Sequence, residues 1–184
     1  QLKTLISMER LYSNYIYSTG ISTIFQEHFE NLASRIEKMI PEGGKVLEIG
    51  SNDGTLLSKL RELEIDSIGI EPSKKLVQSC RQKGLKAFEG YIENDWKVIY
   101  EKNGPFDLIV GNNVFAHIEN LSGAFSAISK ILKQGGVFVF EVAHFKSLVS
   151  GSLIDTIYHE HMSYHTVSSL EKILPMFNLH LYDV

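Results

Sequence analysis

The sequence has one cysteine, four prolines and no long apolar run. Cys80 alone cannot form an internal disulfide or a cysteine zinc cluster within these 184 residues, and it fits a reducing compartment. The net charge of −4 provides no basic surface of the kind that binds phosphate backbones. No apolar run approaches the roughly 20 residues that cross a bilayer, and no basic segment with an apolar core opens the chain. We therefore expect a cytoplasmic protein that binds neither nucleic acid nor membrane.

The composition is that of a single globular domain. Hydrophobic residues make up 43% and charged residues 22%, which differs from disordered and fibrous chains. The length suffices for one hydrophobic core. Because the chain starts on Gln1 and stops within the alternating apolar segment 179–184, we expect it to be a C-terminally truncated piece of a longer protein.

Strands and helices alternate along most of the chain. Apolar spacing predicts helices over 24–40, 55–63, 74–83, 121–132 and 168–177. Buried strands are predicted over 45–50, 65–71, 86–89, 106–110 and 137–142. Such βα units build a parallel sheet with helices on both faces. The predicted fold is a doubly wound α/β domain over 41–184, preceded by a helical or lid segment over 1–40.

A glycine turn follows the first predicted strand. Gly50 and Gly54 allow a ligand to approach the backbone, and the amides of the next helix point at it. In open α/β sheets ligands bind at this edge, beyond the carboxyl ends of the strands. The turn lacks the spacing G-x-G-x-x-G, which disfavours a dinucleotide-dependent dehydrogenase.

Two carboxylates accompany the turn. Glu71 closes the second strand about 20 residues after Gly50, where an acidic side chain can accept hydrogen bonds from both hydroxyls of a ribose. Glu48 can face the ammonium of an amino-acid moiety. Two negatively charged side chains beside the turn favour a ligand that is a cationic nucleoside with an amino-acid tail over one that carries a pyrophosphate.

Four segments resemble the successive motifs of the Rossmann-like S-adenosylmethionine-dependent methyltransferases. They are Val46-Leu-Glu-Ile-Gly-Ser-Asn-Asp-Gly54, Gly69-Ile-Glu-Pro72, Phe106-Asp-Leu-Ile-Val110 and Gly135-Gly-Val-Phe-Val139. The resemblance implies S-adenosylmethionine as the cofactor and Glu71 at its ribose. It places Asn112 or Asn113 beside the sulfonium. Around the methionine part it implies Glu48, Gly50, Asn52 and Gly54.

Histidines and tyrosines cluster after the fifth predicted strand. Three of the seven histidines, two tyrosines and a glutamate fall within residues 158–165, at the same sheet edge as the glycine turn. His117 follows the fourth strand and reaches that edge too. A histidine oriented by a glutamate or tyrosine is a natural proton acceptor. This set suits removal of a proton next to a carbonyl, after which the enolate carbon takes up a methyl group.

Three segments are similar to sugar C-methyltransferases that act on nucleotide-linked 4-keto deoxysugars. They are Tyr158-His-Glu-His161, Asn113-Val-Phe-Ala-His117 and Tyr15-Ile-Tyr17. The resemblance implies His161 as the base. It places Glu160, Tyr158 and His117 around the sugar ketone, with Tyr15 or Tyr17 near the reacting centre. Members of that family usually carry an N-terminal zinc-binding domain with four cysteines and a C-terminal sugar-binding domain, and neither lies in this chain.

Other interpretations stay open from the residues alone. A small-molecule O- or N-methyltransferase needs only one base and good orientation, and a non-catalytic module would bind the cofactor only. His159 and His161 would share one side of an extended loop, but without a clear third ligand we predict no metal. The remaining histidines are expected to pack or to face solvent; they are His28, His144, His165 and His180.

Overall fold

The computed structural model describes residues 23–153, 157, 158 and 160–184. Its elements, in chain order, are helix α1 (Thr23–Met39), strand β1 (Lys45–Ile49), α2 (Thr55–Glu62), β2 (Asp66–Glu71), α3 (Lys74–Gln82), β3 (Ala87–Glu89), α4 (Ile92–Asn103), β4 (Phe106–Asn112), α5 (Leu121–Ile131), β5 (Leu132–Glu141), α6 (Phe145–Ser150), α7 (Val167–Ile173) and a 3₁₀ helix (Leu174–Phe177).

The five strands form one parallel sheet in the order β3-β2-β1-β4-β5. Leu47 in the central strand β1 lies between Ile68 of β2 and Ile109 of β4. The strand order reverses at β1, so the crevice beyond the carboxyl ends of β1 and β4 is where this kind of sheet binds ligands. The predicted doubly wound α/β fold is confirmed.

Both faces of the central strands β1 and β4 are buried, whereas no residue of β5 is fully buried. On one face Val46 and Val110 pack with residues of α1 and α2, among them Ile36, which is fully buried. On the other face Leu47 and Ile109 pack with residues of α4 and α5. Burial on both sides explains why the strands appear in the sequence as continuous apolar runs instead of alternating ones.

Helix α4 is absent from the prediction. Its buried contacts are few: Ile92 and Ile99 are buried and Trp96 packs partly against the core, a spacing of four and three residues. Asn94 and Asp95, residue types that favour turns over helix interiors, interrupt this pattern. The apolar face of α4 is therefore too narrow to stand out from the sequence.

Strand β5 begins earlier than predicted. Phe106 pairs with Leu132, but Leu108 pairs with Val137, so β5 carries extra residues at this point. Gly135, with φ of +77°, lies within this irregularity. The two glycines between the predicted helix 121–132 and the predicted strand 137–142 therefore lie in an irregularity inside β5, and α5 ends at Ile131.

Candidate functional site

The turn from β1 to α2 has a backbone that favours glycine. Gly50 and Gly54 have φ of +69° and +80°, and Asn52 has φ of +48°. A Cβ atom on Gly50 would clash with Val114 of the β4–α5 loop. The N–H of Gly50 donates to the carbonyl of Ile70, 2.8 Å away, which holds the turn against β2. The predicted cofactor turn and the loop after β4 are therefore in direct contact.

Glu71 closes β2 and faces this turn. It is 4% exposed, and its Oε2 accepts the N–H of Asn52 at 3.1 Å while Oε1 accepts the N–H of Ser73 at 2.9 Å. Burial raises the pKa of Glu71, although the two amide hydrogen bonds act in the opposite direction. Because a carboxylate oxygen has two acceptor sites, each oxygen can still accept a hydroxyl from a ligand.

Glu48, near the carboxyl end of β1, is a buried acid, and the charged groups of the described residues that act on it are both acidic. It is 4% exposed. Burial first, and then the charges of Glu71 and Asp53, hold the pKa of Glu48 well above its ordinary value. Three carboxyl groups thus face one turn, an arrangement that favours a positively charged ligand.

Three buried polar atoms in this region have no hydrogen-bond partner among the residues that the structure describes. They are Glu48 Oε2, Ser51 Oγ and Asn112 Nδ2, at the adjacent carboxyl ends of β1 and β4. Buried polar atoms are nearly always paired in folded proteins. Two acceptors and one donor left unpaired around an acidic crevice fit the ammonium, ribose and carboxylate of S-adenosylmethionine. Asn113 is exposed beside them, with φ of +55°.

Replacing Glu48 with glutamine should stabilise the free protein and weaken cofactor binding. Because the pKa of Glu48 is raised in the folded state, the stability that this group contributes is fully present below pH 4.5 and decreases as the pH rises through the raised pKa. At neutral pH we expect Glu48→Gln to raise the free energy of unfolding by about 1 kcal/mol and to lower cofactor affinity about tenfold.

Urea unfolding between pH 4 and 8, together with calorimetric titration, measures both effects. The exposed Glu42→Gln variant is the matched control and should change neither quantity. A loss of stability in Glu48→Gln that grows with pH would contradict the prediction.

The second group of predicted residues meets at the same edge of the sheet. The Tyr158 hydroxyl lies 3.0 Å from His161 Nε2, and the two rings are 4.2 Å apart. The His117 ring lies 4.9 Å from that of His161, and His117 Nδ1 is 3.0 Å from the carbonyl oxygen of Glu160. Tyr158, Glu160, His161 and His117 therefore form one cluster, to which Glu160 contributes its backbone.

Backbone and buried side-chain contacts anchor this cluster to the loop after β4. The N–H groups of Met162 and Ser163 donate to the carbonyl of Ala116 at 2.8 and 3.2 Å. The Ser163 hydroxyl donates to the carbonyl of Phe115, and His165 Nε2 lies within 3.2 Å of both groups. Burial lowers the pKa of His165. His165 is thus a packed residue, as the sequence suggested, and it orders the segment that carries His161.

One further contact at this edge escaped the sequence interpretation. His28 Nε2 of α1 lies 2.8 Å from Glu141 Oε2 at the end of β5. The first turns of α1 are therefore tied to the edge of the sheet where the candidate site lies. The two residues are far apart in the chain, and no local pattern links them. Tyr15 and Tyr17 lie outside the described residues.

Neither a metal cluster nor a membrane span is found in the part of the chain that the structure describes. There, no three His, Cys, Asp or Glu side chains are grouped so as to hold a metal ion. No helix in that part has the length and apolar character to cross a bilayer.

Comparison with known proteins identifies relatives over most of the chain. The model of a family described as "Methyltransferase domain" matches residues 24–184. The C-methyltransferase NovU of Streptomyces niveus is 27% identical over all of this chain and 44% of its own length. An uncharacterised methyltransferase of Anoxybacillus flavithermus is 29% identical over 70% of this chain and 60% of its own length. The chain thus spans less than two thirds of either relative.

Solved structures share the fold. A SAM-dependent methyltransferase from Archaeoglobus fulgidus superposes with a TM-score of 0.69 at 20% identity, over 83% of this chain and 68% of that one. DesVI of Streptomyces venezuelae superposes with a TM-score of 0.53 at 20% identity, over 65% of this chain and 51% of that one. At these identities the likeness concerns the fold alone.

Proposed function

The chain belongs to the S-adenosylmethionine-dependent methyltransferases, and from this premise we propose that it methylates a carbon next to the ketone of a nucleotide-linked keto deoxysugar. The observation that carries the proposal is the cluster of Tyr158, His161 and His117, which is held by the loop after β4 at the edge of the sheet that also carries the cofactor turn. Similarity to a C-methyltransferase over the whole chain supports it.

The residues around the turn would hold the cofactor. The Glu71 carboxylate would accept the ribose hydroxyls while it keeps the amides of Asn52 and Ser73 in place. Glu48, whose Oε2 has no partner among the described residues, would face the ammonium group. At Gly50 the space that a Cβ atom would need is occupied by Val114, so this glycine is required for packing of the turn against the loop after β4. Bound S-adenosylmethionine supplies an electrophilic methyl group for a nucleophilic carbon.

His161 would create that nucleophile. Its imidazole accepts the proton from the carbon next to the ketone, and the C–H electron pair moves into the new double bond of an enolate. The Tyr158 hydroxyl lies at His161 Nε2 in the structure. When substrate binds, this hydroxyl turns to donate to the ketone oxygen, where negative charge develops, and Nε2 takes the proton.

The start of α1 supports a role for the N-terminal tyrosines. The contact between His28 and Glu141 brings the beginning of α1 to the site edge. Tyr17 precedes Thr23 by six residues, and such a segment reaches at most about 20 Å. We propose that Tyr15 and Tyr17 close over the substrate and exclude water from the sulfonium.

Solvent deuterium exchange tests the proposal without methyl transfer. The protein is incubated in D2O with S-adenosylhomocysteine and a nucleoside diphosphate-linked 4-keto-6-deoxyhexose, and proton NMR follows the hydrogens next to the ketone. We expect exchange at one carbon above the rate without protein, and its loss in His161→Asn. Methylation of an oxygen or nitrogen without any exchange would refute carbon methylation and favour the O- or N-methyltransferase alternative. Cofactor binding with neither reaction would favour a non-catalytic module.

A further inference from the structure

The contact of His117 with Glu160 determines where the imidazole carries its hydrogen. His117 Nδ1 lies 3.0 Å from the Glu160 carbonyl oxygen, which has no hydrogen to donate. The hydrogen must therefore sit on Nδ1, and this nitrogen donates to the carbonyl. The opposite tautomer would set the Nδ1 lone pair against the lone pairs of the carbonyl oxygen.

The ring also stays neutral. Burial first, and then the neighbouring His161, lower the pKa of His117 to about 4. Near neutral pH the ring thus carries one hydrogen, on Nδ1, and Nε2 has an uncovered lone pair. Nε2 forms no hydrogen bond with the residues placed by the structure, and the ring is half-buried, 4.9 Å from the ring of His161.

We infer that His117 is a specificity-determining residue whose Nε2 accepts a hydrogen bond from a hydroxyl that the substrate carries within one or two carbons of its ketone. The inference rests on the proposed function and narrows the substrate class to hydroxyketones. A ketone oxygen is itself an acceptor and cannot pair with this nitrogen. A different group must therefore donate the hydrogen bond to the ketone oxygen, and the Tyr158 hydroxyl is suited to be that donor.

Two substitutions of His117 test the roles of its two ring nitrogens separately. Asparagine places its amide nitrogen near the position of Nδ1 and keeps the donor to Glu160, but it has no atom at the position of Nε2. Glutamine reaches the position of Nε2 and offers an acceptor there. His117→Asn should therefore remove substrate selection while retaining the local contact, and His117→Gln should restore part of the selection.

The measurement is the ratio of kcat/KM for a 4-keto sugar nucleotide and for its analogue with hydrogen in place of the hydroxyl next to the ketone. We expect wild type to prefer the hydroxyl substrate at least tenfold, His117→Asn to bring the ratio near one, and His117→Gln to lie between them. An unchanged ratio in His117→Asn, with both rates lowered equally, would overturn the inference.

Nitrogen NMR of the histidine rings separates this inference from the proposed function. In the protein without substrate we expect the His117 signals of a neutral ring with hydrogen on Nδ1. Hydrogen on Nε2 would overturn the inference whatever reaction the enzyme performs. The expected tautomer in a protein that exchanges no hydrogen next to a ketone would refute the proposed function.

Discussion

Replacing His161 with asparagine should lower kcat for carbon methylation by about 10²–10⁴-fold, the usual contribution of a positioned general base. Asparagine occupies similar space but cannot accept a proton from carbon. Affinity for S-adenosylmethionine should remain within about threefold, because Glu48 and Glu71, the residues proposed to hold the cofactor, lie at the ends of other strands.

Single-turnover kinetics with calorimetric titration separates the two effects. His180→Asn, at an exposed position, is the matched control and should match wild type in both. Tyr158→Phe should lower kcat less than His161→Asn, because it removes a hydrogen bond to the ketone and leaves the base in place. Wild-type kcat in His161→Asn would exclude His161 as the base.

Replacing Glu71 with alanine should lower the affinity for S-adenosylmethionine by about 10²–10³-fold, as expected when hydrogen bonds to a buried charged acceptor are lost. The variant loses the proposed acceptor for the ribose and leaves the N–H groups of Asn52 and Ser73 without their carboxylate partner. The cofactor turn is therefore weakened together with the ribose contact.

Calorimetric titration with S-adenosylmethionine and with NAD measures the effect. Glu89→Gln is a close control, because Glu89 pairs with Glu71 in the sheet register but is exposed. We expect S-adenosylmethionine alone to bind wild type and Glu89→Gln. Unchanged affinity in Glu71→Ala, or tight binding of NAD, would contradict the assigned cofactor site.

The strands that lead into the site, β1, β2 and β4, could be located in the sequence because each ends in a compact apolar run. The glycine turn directly follows β1, and Glu71 is the last residue of β2. Predicting these strands therefore also predicted that both lie at the carboxyl edge of the sheet. Tyr158 and His161 are three residues apart, and their contact is local. The positions of these site residues are therefore encoded by short stretches of the sequence.

The remaining parts depend on contacts that no short stretch encodes. Glu160 contributes its backbone carbonyl to His117, and a backbone atom has no signature in a sequence. His28 and Glu141 meet across the whole domain. Helix α4 and the bulge in β5 were missed because a narrow apolar face and a glycine pair each suit several local structures.

The central position of β1 also has a consequence for how the chain acquires its fold. On one side β1 pairs with β2, which follows closely, but on the other it pairs with β4, about sixty residues later in the sequence. Pairings so distant in sequence form slowly, because a long loop must close first. A nascent chain that has not yet reached β4 has one edge of β1 unpaired, and it lacks α5, which covers part of the core face carrying Leu47. The binding crevice, which lies beyond the ends of β1 and β4, can therefore form only once most of the domain has been synthesised.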